Sequence, residues 1–274
     1  MRVLICTIGS KQRESTLRFA SQVAEALAAE TALLGVVDKK RRTAELEQKL
    51  QEVALRLSQR ELLVRVRVQA GDAEGIVMKE LETTPYDLVV FGSLGNKRSS
   101  RKLFGSVAMS IVERAQVSVL VYRGDRSSLS RILICTSGTE HGQQAVWAGA
   151  SLACGAGAQA TVLHVVDAMP SMYAGLEKME ETLVELLQSA TERSKELTWA
   201  AQVVKSECEI SELKLRRGIV ADEILRESLE GDHDLIVIGS SMAAGGLVRA
   251  LLGDVTREIL SRALCPVLVV RPLH

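Results

Sequence analysis

The sequence predicts an α/β chain built from two similar units in tandem, each an open, parallel, five-stranded sheet with helices on both faces. Three observations predict it. First, the 274 residues repeat themselves: RVLICTIGS from Arg2 recurs as RILICTSGT from Arg131, and LLGVVD ending at Asp38 recurs as VLHVVD ending at Asp167, both 129 residues apart. DLVVFGS from Asp87 recurs as DLIVIGS from Asp234 and Gly71 as Gly218, both 147 residues apart, so 18 extra residues lie between Asp167 and Gly218. VSVLVYR ending at Arg123 is matched by PVLVVR ending at Arg271. Second, within each copy short apolar runs alternate with longer amphipathic segments, the pattern of strand-helix-strand units with right-handed crossovers and parallel pairing. Third, the short polar stretch GDRSSLS, Gly124 to Ser130, reads as a linker and sets the domains at 1–124 and 130–274.

Each element of the first copy has its own signal. Residues 2–7 form a continuous apolar run closed by Gly9 and Ser10, which suits a strand buried on both faces. From Ser10 to Glu30, Leu17, Ala20, Val23, Ala24 and Leu27 recur at helical spacing. Leu33 to Val37 is the next strand, Thr43 to Arg60 the next helix, and Leu62 to Val68 the third strand. That third strand alternates Val64, Val66 and Val68 with Arg65 and Arg67, which predicts a sheet edge with one wet face. Ala73 to Glu82, Asp87 to Phe91, Gly105 to Arg114 and Val117 to Tyr122 complete the unit. In the second copy the segment from Gly175 to about Val203 is expected to be an extended helix.

Composition narrows the function. With 47% hydrophobic residues the chain can bury two cores, and it has no run of the roughly 18 to 20 apolar residues that span a bilayer. The opening MRVLICTIGS has strand length and no signal-peptide cleavage pattern, so a cytoplasmic chain without membrane contact is expected. Cys6, Cys135, Cys154, Cys208 and Cys265 lack CxxC spacing and are expected to be reduced, mostly buried thiols. The net charge of zero and only three Phe, three Tyr and two Trp argue against nucleic acid as a partner. The charge is asymmetric: residues 1–123 carry 20 Lys/Arg against 14 Asp/Glu, and residues 131–274 carry 13 against 19. Anions should therefore prefer the first copy. His141, His164, His233 and His274 are scattered without HxH or HExxH spacing, and Asp38 and Asp167 have no paired carboxylate in sequence. No catalytic and no metal-binding residue is expected.

The most informative stretch is GSLGNKRSSRKLFGS, Gly92 to Ser106. It follows the apolar strand DLVVF, and in an open parallel sheet ligands sit at the carboxyl ends of the strands, where strand order reverses. Gly92 and Gly95 would let a ligand approach the backbone, and Gly105 and Ser106 open a helix whose N-terminus carries unpaired N–H groups and a partial positive charge. Lys97, Arg98, Arg101 and Lys102 add charge that attracts phosphate. A glycine turn with an ordinary serine cap is the simpler reading of the same residues.

The repeated unit as a whole resembles the universal stress protein family in its tandem two-domain form, over nearly the entire chain. Gly92, Gly95, Gly105 and Ser106 fit that family's G-x2-G-x9-G-(S/T) nucleotide motif without a gap. The resemblance implies a Rossmann-like, adenine nucleotide alpha hydrolase-like fold. It also implies ATP, with or without Mg2+, in the first domain, with Gly92, Gly95, Gly105, Ser106 and Val107 around the phosphates. Phe91 would lie close by and Val36 against adenine, and Cys6 and Ser93 complete the candidate set. The two final strands, Val117 to Tyr122 and Pro266 to Val270, are implied to pair across a pseudo-twofold axis as an internal dimer, with a homodimer of chains as a further step.

Two departures from the family pattern carry consequences. ATP-binding members have Asp at the end of the first strand, where this chain has Ile8 in one copy and Ser137 in the other, which removes an anchor worth ~1 to 3 kcal/mol if buried and unreplaced. In the second copy Met242 stands where a glycine is expected, the spacing to Gly253 is one residue longer and Asp254 replaces the Ser/Thr, so no nucleotide is expected there. The function expected is a stress-response protein that senses an adenine nucleotide in its first domain and meets a protein partner. The alternatives are a scaffold that binds no nucleotide and a very slow ATPase.

Overall fold

The computed structural model describes residues 1–8, 14–37, 43–92, 106–137, 140–166, 191–207, 211–240 and 253–272. The first half runs β1 (Arg2–Ile8), α1 (Glu14–Ala26), β2 (Glu30–Val37), α2 (Thr43–Ser58), β3 (Val64–Ala70), α3 (Ala73–Thr83), β4 (Leu88–Gly92), α4 (Ser106–Arg114) and β5 (Ser118–Tyr122). The second runs β6 (Arg131–Thr136), α5 (Glu140–Ala156), β7 (Gln159–Val166), α6 (Glu192–Glu207), β8 (Ser211–Arg217), α7 (Val220–Glu230), β9 (Leu235–Gly239), α8 (Asp254–Arg262) and β10 (Val267–Val270).

The ten described strands join one sheet in the order β3-β2-β1-β4-β5-β10-β9-β6-β7-β8. Each half is a parallel five-stranded sheet, and β5 meets β10 antiparallel, with Val121 opposite Val267 and Val119 opposite Val269. Pairing of the two final strands therefore leaves neither half with a bare edge at the centre. The outer edges are β3 and β8. On β3, Arg65 and Arg67 stand on the wet face, where they pair with Glu30 and Glu80.

The helices form two layers. Val3 and Ile5 of β1 face a core that includes Phe19 and Val23 of α1, Leu50 and Leu57 of α2, Val146 of α5 and Val204 of α6. Leu4 and Cys6 face the opposite core, with Val77 of α3, Ile111 and Val112 of α4, Ile224 of α7 and Ile259 of α8. This alternation is the period-2 pleat of a strand buried on both faces.

Repeated residues do repeated work. Asp87 accepts from the Arg2 backbone N–H (2.7 Å), and its counterpart Asp234 accepts from Ser130 (2.8 Å) and Arg131 (3.1 Å), so each tethers the start of a neighbouring strand. Gly71 and Gly218 follow β3 and β8 at φ +151° and +150°, where a side chain would be strained, and donate to Val37 and Val166. Glu80 accepts from Arg67 and Tyr86, both at 2.9 Å. Its counterpart Glu227 is buried and meets Lys214 at 3.0 Å and Arg216 at 2.7 Å. Burial works to raise the Glu227 carboxyl, and the hydrogen bonds from Lys214 and Arg216 outweigh it and hold the group below its ordinary value.

Candidate functional site

In the first half, β1 connects to β2 on one side while β4 lies on its other side, so the chain reverses direction between β1 and β4. The carboxyl ends of these two strands border the crevice that such a switch point creates. Register brings the candidate residues together there. Cys6 stands opposite Phe91 on one side and Leu34 on the other, Ile8 opposite Val36, and Gly92 opposite Tyr122. Cys6, Val36 and Phe91 are at most 1% exposed and belong to the core beneath the crevice, with Val107 packed against the same core. Ile8, Gly92 and Val107 are partly exposed. Burial, and secondarily the charge of Glu80, pushes the Cys6 thiol far up, which leaves it an inert wall.

Helix α4 starts at Ser106, so its unpaired N–H groups open at the same end of the sheet. Its last two turns are anchored elsewhere: Ser110 and Arg114 both donate to Oε1 of Glu74 on α3, each at 2.6 Å. The Ser110 hydrogen bond first, and Arg114 second, hold the Glu74 carboxyl below its ordinary range. Gly95, Gly105, Ser93, Lys97, Arg98, Arg101 and Lys102 lie outside the described residues, as do Asp38 and the segments 9–13 and 38–42.

One residue of this region escapes sequence reasoning. Thr7, next to the end of β1, is fully buried, and its Oγ1 has no hydrogen-bond partner among the described residues. A threonine in an apolar strand carries no signal of its own; only the fold shows the orphaned hydroxyl.

The second half carries different side chains at the equivalent strand ends. Ser137 follows β6 where Ile8 ends β1, and buried His164 of β7 places Nδ1 3.0 Å from the Thr136 carbonyl oxygen. The Ser240 hydroxyl, just past β9, is buried without a partner among the described residues. Helix α8 begins with Asp254 after Gly253, so a carboxylate occupies the first turn where α4 has Ser106. Met242, Asp167 and His274 lie outside the described residues. His233 is buried far from this end, its Nδ1 3.2 Å from the Glu227 carbonyl oxygen. Among the described residues no group of three or more His, Cys, Asp or Glu side chains could hold a metal ion, and no helix is long and apolar enough to cross a membrane.

Comparison with known proteins agrees with this fold. The model of the universal stress protein family matches the chain twice, over residues 1–123 and 129–271. A universal stress protein of Methanocaldococcus jannaschii is 31% identical over 157 residues, covering 55% of this chain and 87% of that protein. One of Mycobacterium bovis is 28% identical over 192 residues, which is 68% of this chain and 62% of the mycobacterial length. Among solved structures, a protein from Pseudomonas aeruginosa UCBPP-PA14 shares the fold at a TM-score of 0.74 and 17% identity, over 99% of this chain and 93% of that one. A universal stress protein from Archaeoglobus fulgidus does so at 0.67 and 18% identity, over 98% of both chains. With the repeat, the two parallel half-sheets and both family matches in hand, the chain is a tandem member of the universal stress protein family.

Proposed function

We propose that the first half, as a domain of residues 1–124, binds ATP or a related adenine nucleotide and acts as a sensor, and that the second, residues 130–274, does not bind it. The observation that carries this reading is where the glycine motif falls: Gly92 ends β4 at the switch point and Ser106 begins α4 at the same end of the sheet. Phosphate between these two points would meet a glycine backbone on one side and helix N–H groups on the other. Lys97, Arg98, Arg101 and Lys102 supply the counter-charge, Mg2+ can share in it, and Val36 and Phe91 back the apolar wall against which the base would lie. At the equivalent point of the second half Asp254 opposes an anion through its own charge. The proposed output is a nucleotide-dependent change of the surface around the start of α4, which a protein partner would read.

The chain contains its own test substitution. Ser106→Asp installs in the first half the residue that the second half carries at position 254. It is expected to weaken ATP binding tenfold or more, about 1.4 kcal/mol, while Asp254→Ser leaves the affinity of the first site unchanged. Equal binding by wild type and Ser106→Asp would favour the scaffold reading. Phosphate release that depends on Mg2+ and on Ser106 would favour the slow ATPase.

A further inference from the structure

Helix α4 is held at its far end by the other half of the chain. Arg271, the residue after β10, is 8% exposed, and its Nη2 donates to the carbonyl oxygen of Val112 in the last turn of α4 at 2.7 Å. Its backbone N–H donates to Ser118 Oγ at the start of β5 (3.2 Å). The contact is reciprocated. Arg123, the residue after β5, donates from Nη1 to the carbonyl oxygen of Leu260 in the last turn of α8. Arg123 and Arg271 are 148 residues apart, and so are Val112 and Leu260, so each arginine makes on the other half's helix the contact its counterpart makes. This is the isologous pattern of a twofold interface, within one chain. A third contact joins the two helices directly, Arg257 of α8 to Glu113 of α4 at 2.8 Å.

A cation on a carbonyl of a helix's last turn completes the helix electrostatically and fixes where its axis points. For α4 that axis decides where Ser106 and the first-turn N–H groups stand relative to Gly92. We infer that Arg271, contributed by the second half, is a positioning residue for the anion site of the first half; the inference rests on the reading of that site given above. Arg123 has the mirror role for α8, which opens on Asp254. The second half thus does a job for the nucleotide site without binding nucleotide itself.

The pseudo-symmetry supplies the control. Arg271→Gln and Arg123→Gln each remove one arginine-to-carbonyl contact of the same kind across the same junction, the first buried and the second part-buried, so a merely structural role predicts losses of the same kind from both. A positioning role predicts that Arg271→Gln raises the Kd for ATP at least fivefold, that Arg271→Lys, which keeps a donor, stays within twofold of wild type, and that Arg123→Gln does so too. Backbone amide exchange, measured on the full chain without ligand, is expected to accelerate in 107–114 for Arg271→Gln and in 255–262 for Arg123→Gln. Equal losses of affinity in both glutamine variants, or unaltered exchange of α4 in Arg271→Gln, would overturn the inference. If the wild-type chain takes up no ATP, the nucleotide reading falls and the exchange patterns alone decide: opposite helices loosened in the two variants keep the positioning role, and the same pattern in both removes it.

Discussion

Gly155, near the end of α5, lies against the backbone of α1. A Cβ at this position would stand 1.8 Å from the carbonyl oxygen of Ala26, 2.7 Å from its carbonyl carbon and 3.1 Å from its Cα. All three atoms are main chain, so no side-chain rotation relieves the contact. Reaching ordinary contact distance requires the two helices to part by about 1.5 Å, the kind of overpacking that costs ~1 to 3 kcal/mol. The rigid obstacle places Gly155→Ala toward the upper end of that range. Ala26 and Gly155 are 129 residues apart, so the clash falls where the helix of each half meets its own counterpart. Parting them also strains the nearby bond from Gln22 Nε2 to the Ser127 carbonyl in the linker (2.8 Å). At about 2 to 4 °C per kcal/mol for a chain of this size, the expected fall in Tm is roughly 5 to 10 °C. Thermal unfolding followed by circular dichroism reads it, with Ser151→Ala on the exposed face of α5 as a neutral control. A Gly155→Ala variant melting within a degree of wild type would refute this account of how the halves meet.

Three further outcomes follow from single residues. Ala28, two residues past α1, has φ +44° while its counterpart Gly157, just past α5, has +61°, so Ala28→Gly is expected to stabilise by roughly 0.5 to 1 kcal/mol in urea titration; destabilisation would contradict the strain argument. Burial holds the His233 imidazole below its ordinary 6.5, against a weaker upward pull from the Glu227 carbonyl. The unfolded chain therefore takes this proton first, and the contribution of His233, complete above about pH 6.5, is lost as pH falls toward the lower folded value. Glu227, also held low, adds a loss below its ordinary 4.5. His233→Gln should flatten the stability decline just below pH 6.5, and an unchanged slope would contradict it. Thiol labelling of the native protein should modify exposed Cys154 and spare Cys6, Cys135 and Cys265, all buried, the last with its pKa pushed up to about 12 chiefly by burial. Peptide mass spectrometry showing Cys6 labelled as fast as Cys154 would contradict that burial.

Much of the fold is legible because its signals are local. The internal repeat and the apolar strand runs place the sheets, and the Arg65 and Arg67 alternation marks β3 as an edge, where it lies. Helix ends are less legible. Sequence pattern carries the first helix to Glu30, but the chain stops it at Ala26: Ala28 donates to Glu25 and Ala29 to Ala24, a Schellman turn without the glycine that announces one, and β2 already begins at Glu30. Glu61 closes α2 the same way, with φ +63°, so that helix ends at Ser58 rather than Arg60. Of the candidate residues, Gly92 is marked by the glycine spacing, and Cys6, Val36 and Phe91 come from the family resemblance; the sheet register sets them at neighbouring strand ends. Thr7, Arg123 and Arg271 are not legible. An arginine after a strand reads as a solvated charge, and only the antiparallel join of β5 to β10 carries it onto the other half's helix.

The central claim is that one half binds adenine nucleotide and the other does not. Calorimetric titration of Mg-ATP into the full-length chain tests it most directly. The account predicts saturable heat at one nucleotide per chain, with affinity weakened tenfold or more by Ser106→Asp and unaffected by Asp254→Ser. Two nucleotides per chain, or no heat up to millimolar ATP with the protein shown to be folded, would contradict it.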